Sequence, residues 1–372
     1  MKAAILNEMG RSRPYANSRP LVVEDVHLDP PGFGELLIKI KATGLCHSDL
    51  SVINGDRPRP MPMILGHEAA GEVEECGAGV TDLKPGDHVV LAFVPSCGSC
   101  LPCMEGRPGL CEPGARANGA GTLLSGARRL TFHQEPIYHH IGVSGYAEYA
   151  VVSRRSAIKV DSSLPAHEAA LFGCAVLTGV GAVINTGKVP AGSSVAVVGL
   201  GGVGLSSLLA ANLVGAAEIV AVDTNSQKLE VASRLGATKT VKVGPDAVKE
   251  VRDLTNGGVD FAFEMASSVP ALQLAFDITK RGGTTVTASL PHPEHRLSIP
   301  AVLLTAEERT LKGSYVGSCV PARDIPRFIS LYQQGKLPVD KLLSEIVSLE
   351  ELNEAFDRLA EGKSIRQVMT FH

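Results

Sequence analysis

Four cysteines in one short stretch are the residues of this 372-residue chain most suited to chemistry. The stretch CGSCLPCMEGRPGLC contains Cys97, Cys100, Cys103 and Cys111 in the spacing C-x-x-C-x-x-C-x7-C. Such thiols can form disulfides, a redox pair or a metal site. A turn-rich loop can fold four sulfurs around one ion, whereas a disulfide needs specific paired Cα distances. The spacing therefore favours a closed, structural zinc site.

The two other interpretations of this stretch have weaker support. The chain has eight cysteines and begins MKAAILNEMG, with too few apolar residues for a secretory signal. We therefore expect a cytoplasmic protein, in which disulfides do not normally persist. A thioredoxin-like pair normally lies at a helix N-terminus, but Pro102, Gly106 and Pro108 indicate a loop.

A second group of reactive side chains is dispersed along the chain. It consists of Cys46, His67 and Cys174 with the polar neighbours His47, Ser48, Asp49, Glu68 and Thr178. Taken singly, each is ordinary, because a lone cysteine is usually buried packing and a histidine beside a glutamate is usually a surface pair. The pattern of residues alone does not decide whether they form a site.

A glycine-rich segment, VVGLGGVG, indicates a dinucleotide site. Gly199, Gly201 and Gly204 have the G-x-G-x-x-G spacing, after an apolar strand and before a helix. These glycines permit a tight turn, close approach of the pyrophosphate and helix packing, respectively. Asp223, at the end of the next predicted strand, would accept hydrogen bonds from the ribose hydroxyls and repel the 2′-phosphate of NADP, which favours NAD. A glycine turn without ligand and a helix-capping Asp223 are the alternatives.

The elements that must hold these residues change character near residue 175. Residues 1–175 read as short strands separated by Gly/Pro turns, with the unusual residues in loops. Six apolar runs then alternate with helical patterns, at 194–199, 218–223, 239–244, 259–265, 283–290 and 310–317. This alternation predicts a doubly wound parallel sheet. Residues 321–336 and 349–362 read as helices, and IRQVMTF as a final strand.

Charge and hydropathy exclude several classes of partner. The net charge of −4, with mixed signs, gives neither a basic footprint for nucleic acid nor a polybasic arm for membranes. Residues 189–217 are uncharged but broken by one proline and six glycines, so a buried strand-turn-helix is favoured over a membrane span. The expected partner is a small molecule or a second copy of the chain.

Taken together, the motifs resemble those of zinc-dependent medium-chain alcohol dehydrogenases. GLCHSDLSVINGD, ILGHEAAGEVEECGAGV, the cysteine stretch, GCAVLTG, VVGLGGVGL and SIRQVMTF occur in the family's order over essentially the whole chain. The resemblance implies a mainly-β, GroES-like catalytic domain at 1–175 plus 319–372, with an inserted α/β Rossmann domain at 176–318. It also implies two zinc ions per chain.

The family's functional residues can be carried over position by position. The catalytic zinc ligands match Cys46, His67 and Cys174; Glu68 matches their acidic neighbour, and Asp49 the carboxylate that orients His67. The thiols of the cysteine stretch match the ligands of a structural zinc. The NAD contacts of the family match His47, Thr178, Gly199, Gly201, Gly202, Val203, Gly204, Asp223, Lys228 and Arg366. The long segment between Cys111 and Gly145 resembles dimeric members, which implies a homodimer.

The implied reaction is reversible hydride transfer from an alcohol to NAD, giving an aldehyde. Ser48 matches the hydroxyl that first accepts the alcohol proton. The liver-type relay ends at a histidine, but the matching residue here is Ser51, which cannot take up a proton near neutral pH. The final base is therefore expected to be solvent or a rearranged neighbour.

Substrate identity rests on weaker correspondences. The implied pocket positions are Phe93, Ile141, Leu290 and Val316, an apolar slot suited to primary alcohols, aromatic ones included. A glutathione-dependent formaldehyde dehydrogenase is the alternative, with Arg57 and Arg116 as candidates for holding carboxylates. A non-catalytic relative is disfavoured because all seven expected zinc ligands are present.

Overall fold

Residues 1–371 are described by the computed structural model, and they divide into two units. The first unit comprises Met1–Cys174, Val320–Ile329 and the chain from Leu343 onward. The second comprises Ala175–Cys319 and Ser330–Leu342. The functional boundaries at 175/176 and 318/319 stay a prediction.

The strands are numbered in chain order. They are β1 Lys2–Leu6, β2 Leu21–Asp25, β3 His27–Leu28, β4 Glu35–Gly44, β5 Met63–Ile64, β6 Glu68–Cys76, β7 His88–Leu91, β8 Leu130–Phe132, β9 Glu135–His139, β10 Tyr149–Ser153, β11 Ala157–Lys159, β12 Ser194–Val198, β13 Glu218–Asp223, β14 Lys239–Lys242, β15 Val259–Glu264, β16 Thr279–Thr287, β17 Thr310–Gly313, β18 Leu343–Val347 and β19 Arg366–Thr370.

The helices are numbered in the same way. They are α1 Tyr15–Ser18, α2 His47–Ile53, α3 Leu101–Met104, α4 Glu112–Ala120, α5 Ala166–Leu171, α6 Ala175–Gly181, α7 Gly202–Leu213, α8 Ser226–Arg234, α9 Ala247–Leu254, α10 Val269–Ile278, α11 Val302–Ala306, α12 Pro321–Gln333 and α13 Leu352–Ala360. A π-helical turn, Ala182–Gly187, continues α6, and 3₁₀ turns lie at Pro108–Leu110, Arg154–Ser156, Tyr315–Ser318 and Val339–Leu342. No helix among residues 1–371 combines the length and the apolar character needed to cross a bilayer.

Two sheets form the first unit. One has the order β2-β1-β5-β9-β8-β3, and the other has β11-β7-β6-β4-β19-β18 with β10 also paired to β4. Leu36, Ile38 and Ile40 alternate along β4 and enter one core, as a two-residue side-chain period requires. This long strand leads directly into Cys46 and α2, so the sheet core fixes where the first site residue lies.

The second unit contains a parallel six-stranded sheet in the order β14-β13-β12-β15-β16-β17. Its central strands β12 and β13 are largely buried and apolar, as expected for a sheet covered on both faces. The strand order reverses direction at β12, where ligands bind in such sheets, beyond the carboxyl ends of the strands. The predicted GroES-like and Rossmann fold class is confirmed.

Two local predictions were wrong. The sixth run of the sheet ends as a strand at Gly313, because Val316 (φ 53°) and Ser318 (φ 50°) adopt left-handed backbone that cannot continue the ladder. The cysteine stretch is not all loop: α3 begins one residue before Pro102 and α4 follows Cys111. Proline is tolerated in a first helical turn because those N–H groups have no intrahelical partner.

Candidate active site and metal centres

Three buried side chains of the first unit converge on one point. Cys46 lies between β4 and α2, His67 directly precedes β6, and Cys174 follows α5. All three are buried, and the two sulfurs and one His67 ring nitrogen lie within 4.8 Å of one another. The chain thus brings together the three residues predicted to hold a catalytic zinc.

The chemistry of this triad fits a soft divalent cation. Nδ1 of His67 contacts Asp49, while the buried Nε2 atom has no hydrogen-bond partner among the described residues. A hydrogen bond from the Cys174 thiol holds the pKa of Cys46 well below its usual range, although burial opposes it. Two thiolates and an imidazole are a zinc donor set that leaves one coordination position open.

Charge in the metal-free triad also favours a cation. Burial alone would lower the pKa of His67, but the Asp49 carboxylate and Cys46 raise it to about 10. With this raised pKa the metal-free imidazole holds a second proton. A cation that binds His67 would displace it, because a ligating imidazole must be neutral.

Asp49 lies behind His67 and has more partners than the sequence indicated. Its Oδ1 atom is 3.0 Å from His67 Nδ1 and accepts the Gly66 N–H at 3.1 Å, and its Oδ2 atom accepts the Tyr146 hydroxyl at 3.1 Å. Nε2 of His140 lies 3.2 Å from Oδ1. Neither Tyr146 nor His140 was predicted, because no spacing in the sequence relates them to Asp49.

Glu68 and Arg366 form a buried ion pair in the same unit. The Arg366 guanidinium also donates to the Leu45 carbonyl at 3.0 Å. A Cβ atom at Gly44 would approach the Glu68 Cδ atom to 2.9 Å, so glycine leaves room for the pair. In the structure Arg366 is thus paired with Glu68. The contact of Arg366 with the pyrophosphate stays a prediction.

The four cysteines of the stretch also converge. Their sulfurs lie within 4.8 Å of one another, and all eight cysteines of the chain are free of disulfides. Backbone N–H groups point at the sulfurs: Cys97 donates to Cys111 Sγ at 3.1 Å, and Cys100 donates to Cys97 Sγ at 3.3 Å. Such donors stabilise thiolates, so four ligands fit a closed zinc site.

The thiols in this loop differ in acidity because their surroundings differ. The backbone N–H of Ser99 lowers the pKa of Cys97 to about 6. Burial raises the pKa of Cys103 to about 12 and also raises that of Cys111. A metal ion is therefore needed to hold all four as thiolates near neutral pH.

In the second unit, three glycines of the loop differ in the space around them. Gly199 has φ +93°, and a Cβ there would approach Ala266 Cβ to 2.7 Å. A Cβ at Gly204 would collide with the Gly199 carbonyl oxygen, whereas no described atom lies within 4 Å of one at Gly201. Gly201 precedes α7, which starts at Gly202, so an open backbone surface lies at this helix N-terminus.

Asp223 ends β13 beside this loop. Its carboxylate accepts the Leu200 N–H at 2.7 Å and the Asn225 N–H at 2.8 Å. The residue is 8% exposed, so its charge is held in place. The remaining predicted contacts of this unit are Thr178 in α6, Val203 in α7 and Lys228 in α8.

Helix α2 contains Ser48, the predicted first proton acceptor, together with Ser51 and with His47, which is a predicted NAD contact. His47 is exposed and Ser48 is half-buried. The Ser51 hydroxyl donates to the His47 carbonyl oxygen at 2.8 Å, so it is engaged with its own helix.

The predicted substrate residues have different surroundings. The Phe93 ring meets the His67 ring edge-on at a centroid distance of 5.1 Å, and Ile141 is buried. Arg57 is half-buried, and Arg116 is exposed on α4. In the second unit, Val316 is buried and Leu290 is exposed.

Two protein-family models match the chain. The alcohol dehydrogenase GroES-like domain matches residues 32–162, and the zinc-binding dehydrogenase model matches residues 202–334. These matches cover both halves of the predicted architecture.

Three solved structures are similar over the whole chain. An alcohol dehydrogenase zinc-binding domain protein from Burkholderia ambifaria is 34% identical, with TM-score 0.93, covering 100% of this chain and 98% of that one. Benzyl alcohol dehydrogenase from Acinetobacter calcoaceticus is 33% identical, with TM-score 0.93, covering 100% and 99%. A candidate zinc-binding dehydrogenase from Sinorhizobium meliloti bound to NADP is 27% identical, with TM-score 0.80, covering 100% and 99%.

The fold, the Cys46, His67 and Cys174 triad, the cluster of four cysteines and these matches together define an oxidoreductase of the zinc alcohol dehydrogenase type. The chain belongs to the zinc-dependent medium-chain alcohol dehydrogenase family.

Proposed function

We propose that the chain is an NAD-dependent alcohol dehydrogenase that converts a primary alcohol reversibly to its aldehyde. The observation that carries the proposal is the buried triad of Cys46, His67 and Cys174, in which His67 Nε2 has no hydrogen-bond partner within residues 1–371. Zinc held there would supply a Lewis acid that acidifies an alcohol hydroxyl and polarises a carbonyl, and NAD would supply the hydride acceptor.

The residues around the triad prepare it for this chemistry. Asp49 accepts from His67 Nδ1 and so leaves Nε2 as the metal-facing atom. Ser48, two residues after Cys46, provides the first hydroxyl acceptor for the alcohol proton. Because the Ser51 hydroxyl is bound to the His47 carbonyl oxygen, we propose that the proton passes to solvent rather than to a side-chain base.

The substrate that we propose is a primary alcohol with an apolar, aromatic-compatible body. Phe93 presents its ring edge-on to His67, and Ile141 adds a buried apolar side chain. The relative from Acinetobacter calcoaceticus is a benzyl alcohol dehydrogenase, which makes benzylic alcohols the first class to test. A panel that adds aliphatic alcohols, polyols and hydroxymethylglutathione would refute this choice if a polyol or the glutathione adduct has the highest kcat/KM.

We propose NAD as the cofactor because of Asp223. Its buried carboxylate is fixed by two backbone N–H groups at the end of β13, where it would accept ribose hydroxyls and repel a 2′-phosphate. One relative binds NADP, so the family match alone does not decide the cofactor.

We also propose a homodimer joined through the second unit. Strand β17 is an edge strand with Leu311 36% exposed, and nearby α11 exposes Val302 (66%) and Leu304 (39%). An unprotected edge flanked by apolar side chains is suited to pairing with the same strand of a second copy. Leu311→Lys should yield monomer in light scattering, whereas Leu254→Lys, at an equally exposed leucine, should not. A monomeric unchanged protein would refute the proposal.

The proposed division of labour between the zinc sites can be tested with serine substitutions. Cys174→Ser should abolish turnover and leave one zinc per chain in a folded protein that still binds NAD. Cys100→Ser should mainly lower thermal stability, because a closed metal site contributes its binding energy to folding. Cys76→Ser, outside both clusters, is the control and should keep two zinc ions and full activity. One zinc or none in the unchanged protein would refute the assignment.

A further inference from the structure

His140 is a buried imidazole without an evident structural role. It is 1% exposed, and neither ring nitrogen has an aligned hydrogen-bond partner among the described residues. Burying polar atoms without such partners destabilises a fold, so a native protein that does so needs a reason. An apolar ring would fill the same space without this penalty.

The His140 ring lies against the carboxylate of Asp49. His140 Nε2 is 3.2 Å from Asp49 Oδ1. The His140 ring also packs edge-on against the His67 ring, with centroids 5.7 Å apart and planes at 70°. His140 therefore touches both members of the Asp49–His67 pair.

Asp49 is enclosed by donors from separate parts of the fold. Gly66 and His67 approach Oδ1 from the segment before β6, and Tyr146 donates to Oδ2 from the segment after β9. His140 comes from the same later segment, and its backbone N–H is fixed by the Ser144 hydroxyl at 2.9 Å. Donors on both oxygens resist rotation of the carboxylate.

We propose that His140 is a positioning residue of the catalytic zinc site. With Tyr146 it holds the Asp49 carboxylate so that Oδ1 faces His67 Nδ1, and it limits tilting of the His67 ring. His67 Nε2 is thereby kept aimed at the sulfurs of Cys46 and Cys174. This role rests on the proposed catalytic zinc and extends its supporting residues beyond Asp49.

The neighbouring residue provides a matched control. His139 is equally buried and ends β9, but its Nε2 atom accepts the Arg129 N–H at 3.0 Å. No hydrogen bond or ion pair in the described part of the chain joins it to Asp49. Loss of the His139 imidazole should cost stability, because it removes the acceptor of the Arg129 N–H, but only loss of His140 should change the metal site.

The experiment measures zinc retention by the purified holoenzyme dialysed against increasing chelator, with circular dichroism to monitor folding. His140→Phe should release one zinc per chain at roughly tenfold to hundredfold lower chelator concentration, the range typical of residues behind a metal ligand. His140→Gln should restore most of the affinity, because its amide nitrogen can reach the position of Nε2. His139→Phe should lower the melting temperature and leave zinc release unchanged. In steady state, His140→Phe should lower kcat with little change in KM for NAD.

Equal zinc retention in folded His140→Phe and in the unchanged protein would overturn the proposal. So would equal losses in His140→Phe and His139→Phe, because they would show a structural effect only. If His140→Phe fails to fold, His140→Asn takes its place, since its amide is too short to reach Asp49, and unchanged zinc affinity in it would be equally decisive. The proposed catalytic site itself has a separate test. It would be refuted if the Cys174→Ser variant retained both zinc ions of the unchanged protein.

Discussion

Replacing Asp223 by asparagine should move cofactor preference from NAD toward NADP. The substitution keeps the shape of the side chain and one acceptor oxygen, but it removes the negative charge. In the structure, Oδ2 accepts the Leu200 N–H at 2.7 Å and Oδ1 accepts the Asn225 N–H at 2.8 Å. Asparagine can satisfy only one of these donors, so some loss of loop order is expected for both cofactors.

The size of the shift follows from the removed charge. Two unit charges about 5 Å apart, at an effective dielectric constant of about 20, repel by about 3 kcal/mol. Hydrogen bonds from ribose hydroxyls to a charged acceptor add about 1.5–3 kcal/mol for NAD, part of which an amide keeps. Both contributions favour NADP in the substituted enzyme, so we expect the ratio of kcat/KM for NADP to that for NAD to rise by at least on the order of 100-fold, which is about 2.8 kcal/mol.

The assay compares initial rates with NAD and NADP at one saturating alcohol concentration. Glu264→Gln is a matched control, because Glu264 is also a buried carboxylate at a strand end and accepts the N–H of Ala266, two residues on, at 2.7 Å. It should lower stability without changing the cofactor ratio. A ratio that stays within about threefold in Asp223→Asn, or an unchanged enzyme that prefers NADP, would refute the reasoning.

Two further predictions concern the glycine-rich loop and α2. Gly204→Ala should destabilise the second unit by about 1–3 kcal/mol, because its Cβ would collide with the Gly199 carbonyl, as thermal denaturation can measure. Gly201→Ala should fold normally, since its Cβ meets no described atom within 4 Å, and it should weaken NAD binding in calorimetry. A stability loss confined to Gly201→Ala, or weaker NAD binding confined to Gly204→Ala, would contradict the assigned roles. Ser51→His should speed pre-steady-state hydride transfer roughly tenfold to hundredfold near pH 7 and hardly at all at high pH, and an unchanged rate at pH 7 would contradict a relay that lacks a base.

The amino-acid sequence was sufficient to predict those parts of the candidate sites whose residues are close along the chain. The spacing of the four cysteines predicted a single cluster, and the glycine loop predicted the strand-turn-helix that β12 and α7 form. The two wrong secondary-structure predictions arose where the backbone conformation differs from the one that the residue pattern favours. Val316 lies in the predicted sixth run, but the strand ends at Gly313 and Val316 adopts left-handed backbone, a conformation for which a β-branched residue gives no sequence signal.

The supporting residues of the candidate site could not be predicted because they are set by tertiary contact. Tyr146 reaches Asp49 across 97 positions of sequence, and Arg366 reaches Glu68 from the last strand. Such pairings depend on which sheet faces meet, and hydrophobic periodicity does not encode that choice. The family resemblance supplied Asp49 itself, but not Tyr146 and His140, which lie against its carboxylate.

The two clusters of the first unit consequently depend on the fold in different ways. The cysteine loop gathers its sulfurs within one short segment, where local N–H groups already point at them. The triad needs β4, the turn before β6 and the end of α5 to be in place at once, and its order also depends on Asp49. Loosening of the sheets should therefore disorder the triad more readily than the loop, because the triad's ligands come from three separate elements whereas the loop's ligands lie within one short segment. In this protein, metal retention at the triad should thus report on the integrity of the fold around it, and metal retention at the loop should not.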